Sequence, residues 1–205
     1  MSVGNFKKVL NVFVDGYDGE SEAAFADISG HWAQENIERM ASKGIINGIE
    51  YDDKMYFRPE EYMTRAQFAQ ATAKLVGIEL VKYANTPMMY EDGAQIEPWA
   101  QNAAKAMYEN GIMKGRTSDT DKPIFAPNDN ITRAEAMTIL GRLLPEAQLK
   151  ELDFADKADV APWAAQSMEK LYAAGIIKGY SDHTILPNNR VKRAEAVTLM
   201  NKLSK

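Results

Sequence analysis

The chain has 205 residues, with 24 Lys plus Arg against 29 Asp plus Glu and a net charge of −5, which speaks against a protein that holds duplex nucleic acid by charge. It contains no cysteine, so disulfide frameworks, thiolate zinc sites and cysteine nucleophiles are excluded. At 45% hydrophobic and 26% charged residues, with 13 Gly and 8 Pro, the composition is that of a globular fold and not of a disordered chain.

Residues 1–24 stand outside the pattern that follows. Phe6, Val9, Leu10 and Phe13 have helical spacing, and Asp15-Gly16-Tyr17-Asp18-Gly19 reads as a turn. The segment is an N-terminal extension, either a docking helix or the tail of an upstream domain. Its most apolar stretch, Val9 to Val14, is too short for a signal-peptide core, and no run in the chain approaches the ~20 residues that cross a bilayer. No membrane insertion is expected.

From Phe25 onward the sequence repeats itself. Phe25-Ala26-Asp27, Tyr90-Glu91-Asp92 and Phe154-Ala155-Asp156 place their acids 65 and 64 positions apart. Each acid is followed by a Trp-Ala pair (Trp32, Trp99, Trp163), and a glycine stands twelve positions beyond each Trp (Gly44, Gly111, Gly175). Second glycines fall at Gly48, Gly115 and Gly179. A loop with Phe57-Arg58-Pro59, Phe125-Ala126-Pro127 or Leu186-Pro187 leads to Thr64-Arg65-Ala66-Gln67, Thr132-Arg133-Ala134-Glu135 and Lys192-Arg193-Ala194-Glu195. Three copies, over 25–84, 85–148 and 149–205, account for the rest of the chain.

Each copy opens with an amphipathic helix: Ala33, Ile37, Met40 and Ala41 recur at helical spacing, as do Ala100, Ala103, Ala104 and Met107, and Ala164, Met168 and Leu171. Pro98 and Pro162 suit the first helical turn, where a missing N–H costs nothing. Gly44, Gly111 and Gly175, each with an Ile behind it, stand where a left-handed residue ends a helix. A second helix starts at the Thr-Arg-Ala phrase, since Thr64 with Gln67 and Thr132 with Glu135 have capping-box spacing. Two helices and a loop per copy make a poor core alone, so the copies are expected to pack together as one all-α body of three tandem helix-loop-helix repeats.

Arg65, Arg133 and Arg193 each sit in a first helical turn, where the helix dipole disfavours a cation by a few tenths to ~1 kcal/mol. Either a ligand carboxylate or phosphate meets the guanidinium and the free N–H groups, or an intramolecular acid such as Asp27, Asp92 or Asp156 does. Trp32, Trp99 and Trp163 read first as core residues at the start of amphipathic helices, and otherwise as flat faces for a sugar ring. Gly48, Gly115 and Gly179 admit either a close approach of a ligand or backbone, or a turn with positive φ. Gln67, Glu135 and Glu195 are explained as cap partners. His31 and His183 occupy different places in their copies, so they form no metal-ligand pair and read as surface or capping residues. Asp52-Asp53 and Asp119 with Asp121 lack the glycine and terminal glutamate of an EF-hand. No cofactor motif, metal site or catalytic constellation is visible.

These phrases, in this order and in triplicate, resemble the S-layer homology (SLH) domain, over nearly the whole chain. The resemblance implies a pseudo-threefold arrangement around a central three-helix bundle, with grooves between neighbouring repeats. It implies a non-enzymatic module that anchors a bacterial surface protein to the cell wall, binding a secondary polysaccharide linked to peptidoglycan, often through a pyruvylated N-acetylmannosamine unit. A second reading is docking to neighbouring surface-layer proteins. Residue by residue, it implies carboxylate recognition by Arg65, Arg133 and Arg193, sugar contact by Trp32, Trp99 and Trp163, and a glycine beside each groove at Gly48, Gly115 and Gly179. Asp27, Asp92 and Asp156 would orient the loop or the arginine. The location implied is extracellular, at the cell wall or S-layer, with the chain a fragment whose signal peptide is absent. Gln67 for Glu, Lys192 for Thr, and Leu186 where the other copies have Phe depart from the pattern, so the grooves are expected to be unequal.

Overall fold

The computed structural model describes residues 25–145 and 148–204; the expected docking helix within residues 1–24 lies outside them. Each copy contributes an opening and a closing helix: α1 (Gln34–Ser42) and α2 (Arg65–Leu75), α3 (Pro98–Glu109) and α4 (Arg133–Gly141), α5 (Pro162–Ala173) and α6 (Arg193–Leu203). Proline takes the first turn of α3 and α5. α1 begins differently, with the Ala33 N–H donating to His31 Nδ1 at 3.1 Å and the Gly30 N–H to Gln34 Oε1 at 2.9 Å.

All three opening helices stop by one device. Gly44, Gly111 and Gly175 have φ of +68°, +68° and +69°, and their N–H groups donate back to Ala41, Tyr108 and Tyr172. The N–H of the next residue, Ile45, Ile112 or Ile176, donates to Met40, Met107 or Leu171, the bonding expected when a left-handed glycine terminates a helix. The isoleucines then turn inward and are buried.

The loops hold more β structure than the sequence pattern shows. In the first copy β1 (Ile49–Tyr51) and β2 (Lys54–Tyr56) form an antiparallel hairpin, with Asp52 and Asp53 at positive φ in its two-residue turn. The second copy keeps one bridge, Arg116 with Ile124. The third has no bridge within its own described residues; the Tyr180 N–H donates to the Thr184 carbonyl and the His183 N–H to the Tyr180 carbonyl.

The copies join in a closed ring. The Met63 N–H donates to the Val191 carbonyl, Val191 to Ile131 and Ile131 to Met63, each at 3.0 Å. These three buried residues precede the three closing helices. The helices therefore meet at their N-termini, while their bodies pack mainly on the next copy: α3 on α2, α5 on α4, and α1 on α6. Phe57, Phe68, Phe125, Met107, Met137 and Leu140 are fully buried in one continuous apolar cluster spanning the copies.

Candidate functional site

The closing helices are capped as their sequences predict. Thr64 and Thr132 accept from the N–H groups of Gln67 and Glu135, whose side chains accept in return. In the third copy only half of the box exists. The Lys192 N–H donates to Glu195 Oε2 at 2.9 Å, but an ammonium has no lone pair with which to accept.

These helix starts are not free anion sites. The Arg65 and Ala66 N–H groups donate to the Asp129 and Pro127 carbonyls of the second copy, Arg133 and Ala134 to Asn189 and Pro187 of the third, and Arg193 and Ala194 to Glu61 and Pro59 of the first. Each set of donors is consumed in building a seam between copies.

The arginine side chains follow the same cyclic rule. Arg65, Arg133 and Arg193 are only 3%, 7% and 7% exposed, and their Nε atoms donate to the carbonyls of Phe125 (2.7 Å), Ile185 (2.8 Å) and Phe57 (2.8 Å). The acids that meet them are the cap glutamates of the following copy: Arg65 Nη1 lies 2.8 Å from Glu135 Oε1, and Arg133 Nη1 lies 3.3 Å from Glu195 Oε1. The expected partners Asp27, Asp92 and Asp156 do not touch the arginines. Arg193 faces the neutral Gln67 instead, at 3.5 Å, and donates from Nη2 to the Asn47 carbonyl at 3.2 Å. Burial lowers the pKa of Arg193 and Arg65 from the usual guanidinium value, opposed at Arg65 by the charge of Glu135 and at Arg193 by that of Glu61.

Asp27, Asp92 and Asp156 orient the loops. Each carboxylate accepts two successive backbone N–H groups, from Phe57 and Arg58, Phe125 and Ala126, or Ile185 and Leu186, at 2.6–2.9 Å. The second residue of each pair has positive φ: +58° at Arg58, +53° at Ala126 and +49° at Leu186. This backbone costs a residue with a side chain of order 1 kcal/mol or more, offset here by charge-assisted bonds. The structure also corrects the register of the third copy. Buried Ile185, not Leu186, takes the place of Phe57 and Phe125, while Leu186 matches Arg58 and Ala126.

The tryptophans are not core residues. Trp32, Trp99 and Trp163 are 61%, 52% and 57% exposed, whereas the aromatics that open each copy, Phe25, Tyr90 and Phe154, are buried. The loop glycines receive those buried rings. A Cβ at Gly179 would lie 2.5 Å from the Phe154 ring and 2.7 Å from the Thr184 carbonyl; Gly115 is crowded likewise by Pro123, the Ile124 carbonyl and Tyr90, and Gly48 by Phe25 and the Tyr56 carbonyl. Gly115 and Gly179 also have positive φ, and Gly48 does not. The chain's own close packing therefore accounts for a glycine at all three positions.

Several seam residues escaped the sequence pattern. Arg116 bridges Glu135 (2.8 Å) and Asp129. Burial alone would raise the pKa of Glu135, but the hydrogen bond from Arg116 and the charge of Arg65 hold it below the usual carboxylate value. Tyr180 lies under the Arg133 guanidinium, 4.7 Å from its ring centre, and donates to Glu195. Burial and that bond push its hydroxyl up to about 12. In the third seam His31 Nε2 meets Glu60 at 3.0 Å, and Glu60 also binds Lys192. A cleft of about 450 Å³ opens beside the second copy's loop, between Asp92, Pro127 and Asp129.

Fold and seams together define a closed three-copy helical module, with an exposed tryptophan at the start of each opening helix and a buried arginine in each inter-copy seam. The chain belongs to the S-layer homology domain family, whose model matches residues 24–69, 90–137 and 153–197. It is 37% identical over 156 residues to cell surface glycoprotein 1 of Acetivibrio thermocellus, covering 71% of this chain and 6% of that protein. To the cellulosome-anchoring protein of the same organism it is 34% identical over 158 residues (71% of this chain, 33% of that protein). To the surface-layer 125 kDa protein of Lysinibacillus sphaericus it is 35% identical over 158 residues (76% and 12%). The chain thus spans a third or less of the length of these relatives.

Proposed function

We propose that this module anchors a bacterial surface protein non-covalently to the cell wall, outside the cell, by binding a wall polysaccharide linked to peptidoglycan. The observation that carries this reading is the exposure of Trp32, Trp99 and Trp163 at equivalent points of a chain that buries its other repeated aromatics. A flat indole face half open to solvent suits the apolar face of a sugar ring. The arginine seams suit an acidic substituent, for which pyruvylated N-acetylmannosamine is the candidate, because a guanidinium fork pairs with a carboxylate in two parallel hydrogen bonds. Asp27, Asp92 and Asp156 act indirectly, by holding the loop whose carbonyl positions each arginine, and Gly48, Gly115 and Gly179 by letting that loop pack.

We read the module as binding without catalysis. The partly buried acids already have work in the fold: the three aspartates hold loops, and Glu135 and Glu195 hold caps and arginines. A second reading, docking to a neighbouring surface-layer protein, draws on the exposed Ile49, Tyr51 and Met55 of the hairpin. Co-sedimentation with purified walls, intact and stripped of secondary polysaccharide, tests both. The chain is expected to sediment with intact walls alone. Undiminished binding to stripped walls would overturn the polysaccharide reading, and release of soluble sugar from intact walls would overturn the non-catalytic one.

A further inference from the structure

The three arginine seams are alike in burial and in the Nε bond to the neighbouring loop, yet differ in charge. Arg65 and Arg133 each meet a carboxylate of the next copy; Arg193 meets the amide oxygen of Gln67. We infer that the seam between the third and first copies takes a ligand's carboxylate more strongly than the other two, and that Gln67 is the residue that sets this difference. The inference rests on the proposed polysaccharide reading for its natural ligand, but not for the anion site itself.

The acids nearest this seam are committed elsewhere. Glu60 binds Lys192 and His31, Glu61 pairs with Arg58 at 3.2 Å, and Asp27 holds the loop N–H groups of Phe57 and Arg58. Arg193 therefore has no ion pair among the described residues, although it is as buried as Arg133. Glu61 and Asp27 act on Arg193 from beyond ion-pair distance and only partly oppose the cost of its burial, and an incoming carboxylate supplies the close counter-charge that the other two seams have. Of the five N–H donors of a guanidinium, three are used, on Phe57, Gln67 and Asn47, and two have no partner among the described residues.

The cap does not require the amide. The Gln67 side chain accepts from the Thr64 N–H at 3.1 Å, as the carboxylates of Glu135 and Glu195 do at their own caps. What the amide changes is the seam: it removes a negative charge that would both neutralise Arg193 and repel an anion. Its N–H2 group has no hydrogen-bond partner among the described residues.

Two experiments on the full chain test this. In calorimetric titration with acidic and neutral fragments of the wall polysaccharide, wild type is expected to prefer the acidic one with a stoichiometry near one. Gln67→Glu should lose that preference by at least tenfold, and Glu195→Gln, which gives Arg133 a neutral neighbour, should gain a second carboxylate-dependent site. In thermal melts at fixed ionic strength, replacing chloride by acetate should raise the melting temperature of wild type and not of Gln67→Glu. Acidic-fragment preference and acetate response both unchanged in Gln67→Glu would overturn the inference while leaving polysaccharide binding standing. An acetate response lost in Gln67→Glu, with no fragment bound by wild type, would uphold the anion site and sink the polysaccharide reading.

Discussion

The Nε of Arg193 donates to the carbonyl of Phe57 at 2.8 Å, across 136 positions of sequence, and so ties the last copy to the first. With the matching bonds from Arg65 to Phe125 and from Arg133 to Ile185, it makes the seams cyclic: the buried arginine of each copy bonds to the loop of the next, and the last closes on the first. The described residues are therefore expected to unfold as one cooperative unit. Scanning calorimetry should give one transition whose calorimetric and van't Hoff enthalpies agree. Two resolved transitions would show that the copies fold separately and that the ring contributes little.

Much of this was legible in the sequence. Capping boxes and terminating glycines are local signals, written as residue types at fixed offsets, and Thr64 with Gln67 or Gly111 with Ile112 behave as such signals should. Ring closure is not local. Met63, Ile131 and Val191 share an offset, one position before each cap, but nothing in their type announces that they hydrogen-bond to one another. The same limit explains the arginine partners. The capping-box spacing marks Glu135 as a cap residue, which it is, but its second task of pairing with Arg65 needs the neighbouring copy in place. For the tryptophans the residue pattern alone favours the core, because a large aromatic beside an apolar stripe is usually buried, and the family resemblance points to an exposed sugar-contacting face. They stand exposed at the start of each opening helix, or just before it in the first copy, while the small Ala33, Ala100 and Ala164 that follow them are buried.

Asp92 holds two backbone N–H groups at 2.7 and 2.6 Å, one of them on a residue with φ of +53°. Asp92→Ala removes both acceptors and leaves the strained backbone without support. A loss of about 2–4 kcal/mol in urea unfolding is expected, from hydrogen bonds to a charged group worth ~1.5–3 kcal/mol each and not additive. Asp92→Asn, which keeps one acceptor oxygen, should lose about half as much. A loss below ~0.5 kcal/mol in both variants would show that the loop holds its shape without the carboxylate.

Glu135 carries the acid sensitivity of the seam between the first and second copies. Its carboxyl is held below the ordinary value by Arg116 and Arg65, against the opposing effect of burial. The unfolded chain therefore binds this proton more readily than the folded one. The stability Glu135 contributes is full above the ordinary glutamate value of ~4.3 and is lost as pH falls through the lowered folded value. Glu135→Gln is expected to cost ~1.5–3 kcal/mol at neutral pH, and the gap to wild type should close as the pH is taken from 5 towards 3. Urea midpoints across that range measure it, and a constant gap would mean that lost packing, not charge, accounts for the cost.

The exposed tryptophans separate binding from folding. Because more than half of each indole is already in water, removing one takes little from the core, and Trp32→Ala, Trp99→Ala and Trp163→Ala should each change unfolding free energy by no more than ~0.5 kcal/mol. A sugar ring that covers roughly 50 Å² of indole would gain ~1.3 kcal/mol from that area, which is close to tenfold in affinity. The three substitutions are not expected to be equal. His31, beside Trp32 with ring centres 5.4 Å apart, connects through Glu60 to Lys192, the residue before Arg193. Trp32 thus stands nearest, along this chain of contacts, to the arginine that lacks an acid. Titration with wall polysaccharide should show the largest loss in Trp32→Ala, with partial recovery in Trp32→Phe, which keeps a smaller flat face. Wild-type affinity in all three alanine variants would remove the indoles from the binding surface and return attention to the hairpin of the first copy.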